Sequence, residues 1–381
     1  MTKYPKIMAA CVVLSSLLPI ADGVSAGARA ADRNPRLLGL ATNRWIEIHQ
    51  GPRDGWRREP HVGMAYDSKR GVLLFFGSGT HGRNWDNAVH AFDPVSERWT
   101  RHYRPADPNT YRADPNGRRI AGRGRILPWA MHAYDGIVYD PRRDAMIVAA
   151  RPAHNPIRKK RPAAIVDPVW IYRLGTRRWR IMDNAGEPAP VVFAGGTAYD
   201  SHRDTIVLSR PYRRGGEVWE LGPKRRKWVR VWRGRKQHGI HVNMGYDSRN
   251  RKIVVFGDYR ATETVAVYTP GAKPGAPGSW EKRDPGGDSC PKVTQAPIAY
   301  SEKDGVFLVA PLIRETRETV TCVYDVATNR YRRIPDAPVG KRRMNFMMAY
   351  DVHHDVFLMV TGDWRAPPIV WAFKLDLDAL D

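Results

Sequence analysis

The sequence predicts an all-β chain folded as a β-propeller, read as six four-stranded blades with an N-terminal strand completing the last blade. Three observations carry this. First, a pattern of small and apolar residues, Tyr-Asp, a short polar turn and an apolar run recurs along the chain, placing a marker tyrosine at Tyr66, Tyr139, Tyr199, Tyr246, Tyr300 and Tyr350. Second, outer strands are flagged after the first five markers by "RWTRH", "RRWRIM", "RKWVRV", "SWEKR" and "RYRRI". Third, the last copy ends without such a strand, while "NRWIEI" at Asn43 to Ile48 precedes every copy and has no blade of its own. Ring closure accounts for both anomalies.

Each copy justifies its strands locally. "VGMAYDSKRGVLLFFG", "DGIVYDPRRDAMIVAA", "GGTAYDSHRDTIVLS", "VNMGYDSRNRKIVVFG", "APIAYSEKDGVFLVA" and "FMMAYDVHHDVFLMVTG" are short β-branched and aromatic runs separated by Asp, Ser, Gly and Pro turns. The Pro- and Arg-rich stretch Arg101 to Ala130 is where a seventh, degenerate copy could hide; it is read as a long loop. The layout resembles kelch-type propellers over nearly all of residues 42–376, with the Tyr-Asp turn and the late Trp in corresponding places. A single propeller domain is expected over residues 31–381.

The first 30 residues read as a secretory signal peptide: Lys3 and Lys6, the apolar run "IMAACVVLSSLLPI" interrupted by Pro19, and small-residue cleavage sites ending at Ala26 and Ala30. No later stretch is long and apolar enough for a transmembrane anchor, so an exported, periplasmic or extracellular product is expected. The formal charge is +23. Such an excess in an exported protein favours a polyanionic partner, because a positive surface concentrates acidic ligands. Nucleic acid is a poor partner in that compartment. Cys11 leaves with the leader, and Cys290 with Cys322 remains, an even pair in an oxidising compartment. A disulfide is expected, two buried thiols being the alternative; it would brace the fifth blade, whose turn "AYSEKD" lacks the usual Asp.

Repetition separates packing from function. The marker tyrosines recur and read as structural, whereas the position five residues before each marker varies: His61, Tyr134, Ala194, His241, Gln295 and Asn345. That slot opens the innermost strand, where blades converge on the central channel. A β-meander returns the loop after each second strand to the same face. Those loops carry Arg83, Arg151, Arg210, Arg260, Arg314 and Arg365, guanidinium groups suited to bidentate binding of carboxylate or sulfate. Trp129 and Trp364, with Trp85, Tyr212 and Tyr259, are candidates to stack on sugar rings, with packing between blades as the alternative.

Together these residues describe a mouth for an acidic polysaccharide or oligosaccharide. Lytic β-elimination needs a cation to neutralise a uronate carboxylate, a base for the C5 proton and an acid for the leaving oxygen, and Arg, His and Tyr supply all three. The set resembles that of propeller-fold polysaccharide lyases of the ulvan and rhamnose-glucuronate type. The resemblance implies His241 or His61 as base, Tyr134 as base or acid, and Arg260 with Arg151 as carboxylate binders; His132 and His238 are second choices. No protein-bound cofactor or metal is expected, and a divalent cation bridging the substrate carboxylate is compatible with the chemistry. A sialidase-like hydrolase ranks lower, because the "SxDxGxTW" box is missing from every blade. A copper-radical oxidase is disfavoured because both mature cysteines fall within one blade. The competing class is a non-catalytic, polyanion-binding propeller, distinguished by whether the His and Tyr side chains converge on one pocket. His353 and His354 lie in the opposite-face turn and carry no assigned role.

Overall fold

The computed structural model describes residues 33–51, 55–59, 61–80, 84–182, 190–212, 214–224, 227–257, 265–291, 296–311, 313, 316, 318–335, 347–363 and 366–380, the side chains of Tyr212 and Asp363 excepted. Six four-stranded antiparallel blades form a β-propeller with almost no helix. Their innermost strands are Gly63–Asp67, Ile137–Asp140, Gly196–Asp200, Asn243–Asp247, Ile298–Ser301 and Met347–Asp351. The sixth blade is completed by Trp45–Gln50, which pairs antiparallel with Ala366–Phe373 in the register Trp45 to Phe373. The buried apolar residues divide into clusters that each lie between neighbouring blades, the last joining blade 6 to blade 1.

The repeated turn explains why the pattern recurs. The marker Asp ends the inner strand and turns its carboxylate back on the chain: Asp67 accepts from the amides of Lys69 and Arg70 at 3.1 Å, and Asp200 from those of His202 and Arg203 at 3.1 Å. Four residues later the chain crosses the left-handed region at Gly71, Asp144, Asp204, Arg251, Gly305 and Asp355, as a tight hairpin requires. The marker tyrosines tie these turns together. Tyr66 donates to Asp351 of blade 6 at 2.6 Å, and Tyr199 and Tyr350 donate to Asp204 and Asp355 at 2.6 and 2.7 Å. In blade 5, Ser301 takes the Asp position and its hydroxyl bonds Asp304 at 2.7 Å, so the turn survives the substitution.

The stretch 101–130 is not a seventh blade. It forms a two-stranded hairpin, Arg112–Ala113 with Arg119–Ile120, whose neighbours Tyr111 and Trp129 are buried in the cluster between blades 1 and 2. A repeat unit needs enough alternating strand to build a sheet, and this segment spends its length on proline and turn residues instead.

Cys290 and Cys322 form a disulfide with a sequence separation of 32. It ties the third strand of blade 5, Thr321–Asp325, to the segment that adds Gly286–Gly287 as a parallel edge beside Arg330–Ile334. Exchanging both cysteines for serine is expected to lower stability by roughly 2–4 kcal/mol through the larger entropy of the unlinked unfolded chain. Denaturant unfolding under non-reducing conditions measures it, with the midpoint falling and the slope steepening as the unlinked unfolded chain exposes more surface.

Candidate functional site

The site is built where inner strands of blades 1 to 4 begin. Tyr134, Ala194 and His241, the same slot in three successive blades, adopt φ values of 45°, 52° and 62°. Non-glycine residues in this region each cost about 1–3 kcal/mol and persist where surroundings over-determine them. Here the surroundings are backbone: the Tyr134 amide donates to the His61 carbonyl at 3.2 Å and the His241 amide to the Ala194 carbonyl at 2.6 Å. The slots of neighbouring blades are therefore linked in pairs through their main chains, which sets the angle at which each side chain leaves. Gly63 makes room for this, since a Cβ there would lie 2.3 Å from the Tyr134 carbonyl oxygen.

Their side chains converge. The His61 ring lies 4.0 Å from His132 and 5.2 Å from Tyr134 between centroids, and Tyr134 meets His241 edge-on at 4.9 Å. Phe193 closes the group, 5.7 Å from Tyr134 and 5.0 Å from His154. His61, His132 and Tyr134 are buried, His241 is half-buried and His154 is exposed. His132 Nε2 is 3.0 Å from the Gly79 carbonyl oxygen, which can only accept, so this nitrogen carries a proton. In the neutral ring Nδ1 is then an acceptor, and it receives the Tyr134 hydroxyl at 3.3 Å. Burial pushes the Tyr134 phenol above tyrosine's usual range, so it holds its proton throughout the neutral region. Asp135, next in the chain, points into the channel and accepts from the Met244 amide at 2.7 Å; burial nevertheless raises its carboxyl well above the usual range. Below the mouth a cavity of about 240 Å³ continues between Met64, Asp135, Asn243, Met244 and Met348.

Other candidates fall elsewhere. Arg210 is held by Glu217 at 2.9 Å and by the Val191 carbonyl at 2.9 Å, an arrangement that braces blade 3. Trp129 is not a stacking platform: it is fully buried, stacks on Tyr111 at 5.5 Å and donates to the Ile120 carbonyl at 2.8 Å. His238 is engaged by Ser209 at 2.6 Å and the Gly239 carbonyl at 2.9 Å. Arg151 is partly exposed beside the mouth, its Nε 3.8 Å from Asp167 and its amide on the Val192 carbonyl at 3.1 Å. Arg83, Arg260, Arg314, Arg365, Gln295, Asn345 and Trp364 lie outside the described residues. His154, three residues beyond Arg151 in the loop after the second strand, and Phe193, immediately before the Ala194 slot, are not sequence candidates; only the ring contacts bring them into the group.

No protein-family model and no curated protein sequence matches the chain. Among solved structures it is similar to a chain of a nidogen/laminin complex, with 10% identity over 71% of this chain and 77% of that one and a TM-score of 0.42. It is also similar to TolB from Acinetobacter baumannii, with 8% identity over 80% of this chain and 64% of that one and a TM-score of 0.45. At such identities the likeness concerns the fold alone.

Chemically, the cluster offers a protonated phenol, imidazoles at different depths and a mouth with Arg151 at its edge. Groups of three or more metal-ligating side chains placed to hold an ion are absent among the described residues. Proton transfer is the chemistry these groups can perform without help.

Proposed function

We propose that this chain is an exported, kelch-like propeller acting as a polysaccharide lyase on a uronate-containing polymer. The observation that carries the reading is the convergence of His61, His132, Tyr134 and His241 in one group at the channel mouth. A binding surface does not require imidazoles packed around a buried, protonated phenol, whereas elimination requires a base and an acid within reach of one sugar. The disulfide supports export, since such bonds persist in oxidising compartments. No helix among the described residues is long and apolar enough to cross a membrane.

In this reading His241, the more exposed imidazole beside Tyr134, removes the C5 proton. Arg151 neutralises the carboxylate and so stabilises the carbanion-like charge that follows. Tyr134 turns its proton from His132 Nδ1, which accepts it at rest, to the departing O4 oxygen, and the phenolate left behind is balanced by the His241 imidazolium formed when the C5 proton is taken. His132 is then a positioning residue, acting on substrate only through Tyr134. No cofactor enters the scheme; a divalent ion bridging the uronate carboxylate would supply extra neutralisation of that group.

The test is ultraviolet absorbance of the unsaturated uronate product while the protein meets a panel of uronate polymers. A flat trace across the panel with salt-sensitive binding would leave the polyanion-binding reading in its place. The pH profile checks the division of roles. The rate is expected to rise with pH as the base imidazole loses its proton, and to hold beyond tyrosine's ordinary ~10 because burial keeps the Tyr134 phenol protonated there. A decline setting in well below that point would exclude Tyr134 as the acid.

A further inference from the structure

We propose that the pocket between the inserted hairpin and the long loop of blade 2 is a subsite for an anionic sugar ring adjoining the scissile bond, its carboxylate or sulfate ester held by Arg158 and Lys159. That the ring adjoins a scissile bond rests on the lyase reading; that the pocket binds an oxyanion-bearing sugar does not. The cavity measures about 630 Å³ and is lined by Arg119, His154, Asn155, Arg158, Lys159 and Ile165, among others.

Both walls are fixed. The hairpin is fastened to the loop by the Arg119 amide on the Val166 carbonyl at 3.0 Å and the Ile165 amide on the Gly117 carbonyl at 3.0 Å. Buried Asn155 donates to the Ala130 carbonyl at 2.8 Å while its own side-chain oxygen accepts from the Ile157 amide at 3.1 Å, which starts the short 3-10 turn Pro156–Lys160. That turn projects Arg158 and Lys159 at the cavity, with the Arg158 guanidinium oriented by the Ala153 carbonyl at 2.8 Å.

Charge in the pocket is unbalanced. Asp167 pairs with Arg119 and lies 3.8 Å from Arg151, so its carboxylate is engaged behind the cavity. Arg158 feels burial first, then the positive charge of Arg119, the opposing charge of Asp167 and the positive charge of Arg151, and the balance holds its guanidinium below the usual range. An oxyanion would relieve that repulsion, and guanidinium with ammonium is the pairing that suits carboxylates and sulfates. The remaining lining, including Ala153, Pro156 and Ala164, offers apolar surface for the C–H face of a sugar. Continuity with the cluster runs through His154, which lines the pocket and whose ring lies 5.2 Å from His132. A chain with one ring over Tyr134 therefore passes its neighbour into this pocket.

The experiment is titration calorimetry in a Tyr134→Phe background, which slows turnover, comparing that protein with one also carrying Arg158→Gln and Lys159→Gln. The ligands are oligosaccharides of equal length bearing only carboxylates, only sulfate esters, or neither. Removing both cations is expected to weaken an anionic ligand by about tenfold or more, to flatten its salt dependence and to leave the neutral ligand unchanged. The carboxylate and sulfate arms identify which oxyanion the pocket prefers. Lys282→Gln with Arg330→Gln, which removes equal charge from exposed outer strands, should leave affinity as it was. Circular dichroism and melting verify that each variant folds. Affinity of the double variant for both anionic ligands unchanged from that of the Tyr134→Phe protein overturns the subsite, as does an equal loss in the outer-strand control. Elimination absent from every polymer with the Arg158 and Lys159 dependence intact would remove the lyase reading and leave the pocket standing.

Discussion

Tyr134→Phe is expected to reduce elimination by about two to four orders of magnitude while leaving the fold and polymer binding close to the parent. The change deletes one oxygen from a ring that is packed by His61, His241 and Phe193, so van der Waals contacts persist. What disappears is the proton that burial keeps on the phenol and its hydrogen bond to His132. Loss of a leaving-group acid acts on the transition state, so kcat should fall with little change in KM. Initial rates from product absorbance, with equilibrium binding measured alongside, give both quantities. Full activity in the variant would refute the assignment of the acid, and a parallel loss of binding would point to a packing defect. His132→Gln should instead move the pH profile more than it lowers the maximum, because His132 acts through the phenol.

Much of the ring was legible because repetition multiplies weak signals. One Tyr-Asp turn is uninformative, but the same turn at Tyr66, Tyr139, Tyr199, Tyr246 and Tyr350, with Ser301 standing for the Asp after Tyr300, makes the hairpin geometry the economical explanation, and the left-handed residue five places beyond each marker tyrosine is its cause. The slot before each marker was legible for the complementary reason: variation within a fixed frame. His61, Tyr134 and His241 were found that way and lie together. The insertion was opaque. Trp129 looks like a platform in the sequence, yet whether an indole faces water depends on where Tyr111 and Ile120 pack, eighteen and nine residues upstream in a segment with no repeat to guide it. Arg210 fails similarly, since its pairing with Glu217 depends on the register between the second and third strands of blade 3. His154 and the basic pocket emerge from contacts between a hairpin and a loop more than thirty residues apart, which no periodicity records.

Removing the chain up to Gln50 is expected to destroy cooperative folding rather than trim an edge. Trp45–Gln50 supplies the outer strand of blade 6, and its loss leaves Ala366–Phe373 as an exposed edge with unpaired backbone groups, a template for aggregation. The segment also reaches both neighbours. Trp45 donates to Thr321 of blade 5 at 2.8 Å and lies 5.1 Å from Phe373 of blade 6, while the Asn34 amide group bonds the Pro94 carbonyl of blade 1 at 2.9 Å. Asn34 also donates its backbone amide to His354 at 2.9 Å, whose other nitrogen contacts Asp351 at 2.6 Å; this gives a structural role to a histidine that had none in the sequence. Leu37, Leu40 and Ile48 are buried between blades 6 and 1. A milder variant separates closure from simple truncation: Ile48→Ala should cost about 2–5 kcal/mol, as for a large core residue cut to alanine. Thermal unfolding and size-exclusion chromatography read both changes. A truncated chain that stays monomeric and melts at the parent temperature would mean that the ring holds without its closing strand, and would relocate the stability of blade 6 to its first three strands.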